Sequence, residues 1–411
     1  MAIDPSTQLN GQPTSVNEQF FDALVRHQIG LLRLSSSLRN KVVKLLDDTE
    51  ADMASMIRKR LAKSKGLSTP ADVAKLAKLL ERLRKTRLSA WDKATDAWFQ
   101  ELREMARGEP SLIDGILKTV VPVSIDTSLP AISTLTSMIN HHPFEGKTLR
   151  SWASQIRQAD IRRIEDQIRI GLVQGETSDA IARRVVGTAS LRGRNGVTEI
   201  TRRNAEALTR TAVNAFSNQA KREFYLANKD VFEEELYVAT LDARTTPVCR
   251  ANDGKVFPVG KGPLPPLHFN CRSLRVALIN GVAIGRRPAR PFTEKMLVRE
   301  FAKREGIEGA TTRAKLPRGT KGRYDDYAAG RIRELTGTVP AKLTYQQWLS
   351  RQSAAFQDDV LGRTKGRLFR RGDLTLDKFV NRAGDEIPLS QLARKARDAF
   401  IKAGLDPEDF L

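Results

Sequence analysis

Two cysteines in 411 residues are too few for a disulfide scaffold. The four histidines, His27, His141, His142 and His268, leave few candidates for a general base. No run of about 18 apolar residues exists, so no helix spans a membrane. The opening MAIDPSTQLNGQPTS lacks the basic and apolar regions of a secretory signal, which predicts a protein made and kept in a cytosol. Phosphate-loop, H-E-x-x-H and G-x-S-x-G patterns are all missing, and with them the common nucleotide-hydrolysing, zinc-protease and serine-hydrolase chemistries. Aromatic residues make up only 6%.

What is present is charge and helix-forming sequence. Hydrophobic residues at 40% and charged residues at 28% describe a globular chain long enough for two or three domains. The formal net charge of +21 favours a polyanionic partner, either nucleic acid or an acidic protein surface. The excess is uneven: residues 1–145 hold 20 Lys/Arg against 17 Asp/Glu, whereas 146–411 hold 49 against 31. Solvated Arg- and Lys-rich helix faces account for part of it.

Periodicity predicts a mainly α protein with a small β-rich patch, an α+β chain in five segments. A polar arm (1–15) precedes a nearly neutral helical section with its connector (16–147). Phe20, Leu24, His27, Leu31 and Leu34 form its first stripe, and Leu38, Val42 and Leu45 continue it towards Leu61. Thr69–Pro70 predicts the start of a second helix over Val73–Leu83, and Trp91, Trp98 and Leu102 mark a third from Ser89. This section reads as a bundle or stalk whose stripes seek partner helices, its own or a neighbour's.

The central segment (148–284) predicts helices over about 149–172 and 198–227, with Thr177 capping a shorter one between them. EELYVATLD, DGKVFPV and SLRVALI then read as strands, with the Pro/Gly-rich loop GKGPLPPLHFNC inserted among them. A basic, loop-rich linker follows (285–342), carrying 12 Lys/Arg against 4 Asp/Glu between Arg286 and Arg323. Arg286, Arg287, Lys315, Arg318, Lys321 and Arg323 are its candidate contacts to nucleic acid or an acidic partner. A helical tail closes the chain (343–411), with Trp348 and Phe369 as candidate docking anchors.

The most distinctive stretch is TLDARTTPVCRANDGKVFPVGKGPLPPLHFNCRS. Both cysteines fall in one 23-residue window: Cys249, eighteen residues, His268, two residues, Cys271. Soft sulfur and imidazole donors suit zinc, and a His-x-x-Cys step lets one turn present two ligands. Asp242 or Asp253, or a water, is the candidate fourth ligand. A zinc ion here staples a loop with little core of its own and does no catalysis. Two reduced thiols in a small β core, or a Cys249–Cys271 disulfide formed outside the cell, fit the same residues.

The same window resembles the phage Mu protein F-like minor head family. In that family an R-T-A segment on a helix leads to L-D-x-R-T-x-x-x-C, then D-G-x-x-F, then P-x-H-x-x-C-R. The matching residues here are Arg210, Thr211 and Ala212; Leu241, Asp242, Arg244, Thr245 and Cys249; Asp253, Gly254 and Phe257; and Pro266, His268, Cys271 and Arg272. The resemblance covers about 70 residues around these motifs and extends more loosely into the tail. It implies a bacteriophage head-morphogenesis role: a minor capsid protein in few copies, bound to portal or major capsid protein near packaged DNA, located in the virion after assembly in the host cytoplasm. No enzymatic activity is implied. Two rivals remain: a metal-dependent nuclease, which cysteine ligands disfavour because hydrolytic sites use oxygen, histidine and water, and a free nucleic-acid-binding protein.

Overall fold

The computed structural model describes residues 15–62, 69–121, 125–279 and 286–411; apart from Ser15, the expected polar arm lies outside them. In chain order come α1 (Val16–Asp47), α2 (Glu50–Leu61), α3 (Pro70–Val120), α4 (Ile132–His141), α5 (Leu149–Val173), α6 (Ser178–Val186) and α7 (Thr198–Ala227). Then follow β1 (Glu234–Val238), β2 (Leu241–Asp242), α8 (Pro247–Asn252), β3 (Val256–Pro258), β4 (Leu274–Leu278) and β5 (Arg286–Arg290). The remainder comprises α9 (Glu294–Arg304), α10 (Lys321–Leu335), β6 (Gly337–Pro340), α11 (Tyr345–Ser350), α12 (Ala354–Leu361), α13 (Arg363–Arg371), α14 (Leu389–Lys395) and α15 (Arg397–Lys402). The fold is mainly α with a small β patch, as the periodicity predicts.

Threonines open many of these helices. Thr69, Thr148, Thr177 and Thr293 each accept a hydrogen bond from a first-turn backbone N–H, and Thr344 and Gln347 form a reciprocal capping box. The expected break between a second and a third helix is absent: α3 runs 51 residues, because ERLRKTRL between the two stripes contains no helix breaker. Its buried face continues from Leu76 through Leu83, Trp91 and Trp98 to Leu117, and Pro110 is accommodated inside it.

The apolar stripes of the N-terminal section find their partners within the chain. Leu31, Leu38 and Val42 of α1 and Trp91, Trp98 and Leu102 of α3 share one core with Ala205, Leu208, Ala212 and Phe216 of α7. A second core joins Phe20 and Phe21 to the end of α7 and to β1 and β4. α7 is therefore a central spine, buried along most of its length. Asn17 on α1 hydrogen-bonds Ile279 just beyond β4 through both backbone groups, accepting from its N–H at 3.0 Å and donating to its carbonyl.

β1 is the middle strand of a three-stranded antiparallel sheet in the order β3-β1-β4, with Leu236 opposite both Val256 and Val276. A second small sheet, β2-β5-β6, brings strands from the central segment and the expected linker together. The expectation of a loop-rich linker over 285–342 is corrected. The stretch holds two helices and a core of Leu297, Val298, Phe301, Leu316 and Tyr324, formed because apolar residues recur at helical spacing among the charges. Trp348 is corrected as well: it is 2% exposed and packs edge-on between Tyr345 and Phe356 in the core of the tail, so it is no surface anchor. Phe369 is half-buried beside the same core.

Candidate metal centre

Cys249 sits on α8, which starts at Pro247, where a missing N–H costs nothing. His268 and Cys271 lie on the long loop between β3 and β4. This loop is held from outside by the Arg-Thr pair of α7. Arg210 Nη1 donates to Asn270 Oδ1 at 2.8 Å, and Thr211 Oγ1 accepts from Asn270 N at 2.9 Å. Asn270 itself has φ +62°, a conformation asparagine tolerates better than most residues.

These anchors bring the three donors together. Cys249 Sγ lies 3.7 Å from Cys271 Sγ and 3.3 Å from His268 Nε2, and all three ligand atoms are within 4.8 Å of one another. Both cysteines are buried free thiols and not a disulfide. A tetrahedral zinc with bonds of about 2.3 Å to sulfur has an S···S edge of about 3.8 Å, so the spacing fits that ion. His268 Nδ1 bonds the Phe269 carbonyl at 2.8 Å, which assigns Nε2 to the cluster, as in metal-ligating histidines.

The electrostatics favour an anionic sulfur. Hydrogen bonding from Cys271, and further from His268 and Tyr237, pulls the Cys249 thiol well down against the cost of burial. The same contact, together with burial, pushes Cys271 up. Burial works against the His268 imidazolium, but the Cys249 sulfur, the Phe269 carbonyl and Glu145 outweigh it, so His268 shifts upward. Tyr237, which the sequence reading missed, donates from its hydroxyl to Cys249 Sγ at 3.2 Å.

Neither expected carboxylate joins the cluster. Asp242 is gripped by Arg272 through both guanidinium Nη atoms at 2.5 and 2.9 Å, and it also accepts from Arg244 N and Thr245 Oγ1. Burial raises its pKa, but these donors hold it below the usual carboxylate range. Asp253 is bound in the same way by Arg287 and accepts two backbone N–H groups, from Ala239 and Tyr345. Both carboxylates thus brace the loop instead of ligating. Gly254, with φ +80°, brings the chain so close to Thr344 that a Cβ would stand 2.6 Å from its Cγ2. Arg244 is exposed.

The expected nucleic-acid contacts divide. Arg287 is corrected: its guanidinium is consumed inside the fold by Asp253, with both side chains at most 3% exposed. Arg286, Lys315, Arg318, Lys321 and Arg323 remain on the surface or close to it, with Arg323 paired to Glu305 at 2.9 Å.

A helical protein organised around one spine, with a small sheet carrying a braced Cys/His loop, is the class these features define. Residues 162–276 match the family model described as phage Mu protein F like protein, so the stretch from α5 to β4 belongs to that family. No curated protein and no solved structure matches the chain. Among the described residues, no helix is long and apolar enough to cross a membrane.

Proposed function

We propose that the chain is a minor structural component of a bacteriophage head, without enzymatic activity, assembled in few copies near the portal and the packaged DNA. The observation that carries this is the family match over 162–276, which suggests head morphogenesis. The internal logic of the motif residues supports it. Arg210, Thr211, Asp242, Thr245 and Arg272 hold backbone and loops in place.

Within this reading Cys249, His268 and Cys271 hold one structural zinc ion. Purified protein should contain about one equivalent, and Cys271→Ser should lose it together with several kcal/mol of stability. The assembly role is tested in purified virions, where the chain should remain with heads after tails are detached. A chain found only free in the lysate, or a hydrolytic activity lost in His268→Ala, would overturn the assignment.

A further inference from the structure

Three protein ligands leave one tetrahedral position open, whereas structural zinc sites are closed by a fourth protein ligand. With Asp242 and Asp253 held by arginines, that ligand must come from elsewhere. The turn between α4 and α5 supplies a candidate. Phe144 and Lys147 close it with reciprocal backbone hydrogen bonds of 3.0 and 3.2 Å, leaving Glu145 and Gly146 as the two-residue tip. Both tip residues have positive φ, +50° at Glu145 and +77° at Gly146. Asn, Asp or Gly fit the first of these positions; a glutamate there is held at a cost of about 1–2 kcal/mol, which points to a task for its side chain.

The turn is docked against the metal loop. The Phe144 ring meets Phe216 of α7 edge-on at 5.7 Å, and the Phe144 carbonyl accepts from Trp152 Nε1 at 3.0 Å. Trp152 in turn packs edge-on against Phe269, the neighbour of His268, at 4.9 Å. Glu145 makes no hydrogen bond or ion pair among the described residues. Its carboxyl, raised by burial, senses both the His268 ring and the Cys249 sulfur.

Building on the zinc reading, we propose that Glu145 is the fourth ligand, completing a Cys₂-His-Glu site that fastens the 144–147 turn to the 249–271 loop. The metal then joins a turn outside the family-matched stretch to the loop inside it, across more than a hundred residues of chain.

Cobalt(II) loaded into the full chain tests this. Wild type should show sulfur-to-cobalt charge-transfer bands and the strong visible absorption of a four-coordinate centre. Glu145→Asn suits the positive φ at least as well, so the metal-free protein should melt no lower. Its zinc affinity, measured by competition with a chromophoric chelator, should nevertheless fall by roughly 10-fold or more. Glu145→Cys should restore binding and intensify the charge-transfer band, because a third thiolate joins the ion. Cobalt spectra and zinc affinities unchanged in both variants would overturn the Glu145 assignment while leaving the three-ligand site standing. A wild-type chain that binds neither ion would remove the zinc reading itself.

Discussion

Arg287 Nη1 and Nη2 donate to Asp253 Oδ1 and Oδ2 at 2.8 and 2.5 Å, and neither side chain has more than 3% of its surface exposed. The pair ties β5 to the turn after α8. Asp253 also takes backbone N–H groups from Ala239 and from Tyr345, so one carboxylate joins the sheet, the metal loop and the tail.

Breaking this pair from one side leaves a buried charge without its partner, at a typical cost of 3–5 kcal/mol. Arg287→Met is therefore expected to lower the free energy of unfolding by about that much in urea titration. Combined with Asp253→Asn the loss should be smaller than the sum of the two single losses. A single-variant loss below about 1 kcal/mol would show that water reaches the pair.

The exposed basic residues give a different test. Replacing Arg286, Lys315, Arg318, Lys321 and Arg323 by glutamine, with Arg287 left intact, should weaken binding to duplex DNA. The slope of log affinity against log salt should become shallower by about 0.9 for each phosphate contact removed. An unchanged slope would mean that these side chains are only solvated.

Lys221 on α7 is 1% exposed, and its Nζ has no hydrogen-bond partner among the described residues. Burial lowers its pKa, and the charge of Glu109, itself paired with His27, only partly opposes this. Below the lowered folded value both states carry the proton, and the cost of burying the ammonium is present in full. Above it the unfolded chain binds the extra proton, so stability gains with pH up to the ordinary lysine value of about 10.4. Lys221→Met should thus stabilise the protein by roughly 1–3 kcal/mol near neutral pH. That margin should shrink as pH rises. A margin that is constant from pH 6 to 10 would show that the amine is not titrating differently in the two states.

Elements governed by local rules were readable from the chain itself. The α7 stripe Ala205, Leu208, Ala212 and Phe216, the Thr177 cap and the alternation in EELYV all specify local structure without reference to distant residues. The cluster of Cys249, His268 and Cys271 was readable because a rare residue pair converged on one loop. What escaped depended on tertiary pairing. Nothing in the spacing of Arg287 and Asp253 says that a basic side chain will be buried against a candidate metal ligand. Trp348 has the same sequence appearance whether it enters its own core or a partner's. Tyr237 was hidden because its position in β1 fits an ordinary core aromatic. Glu145 left only a faint signal, the glycine after it that marks a tight turn.

The hydrogen bonds from Asn17 to Ile279 span 262 positions of sequence. On the ribosome, α1 emerges long before β4 exists, and at about 5–20 residues per second the wait is tens of seconds. For that interval Phe20, Phe21 and Leu24 have no sheet to cover them. Their protection during synthesis then falls to α3, which arrives first and shares Ile113 and Leu117 with the same core, or to a chaperone. The native arrangement closes only when about two thirds of the chain has been made, so translation pauses ahead of β4 are expected to cost this protein more than pauses in its tail.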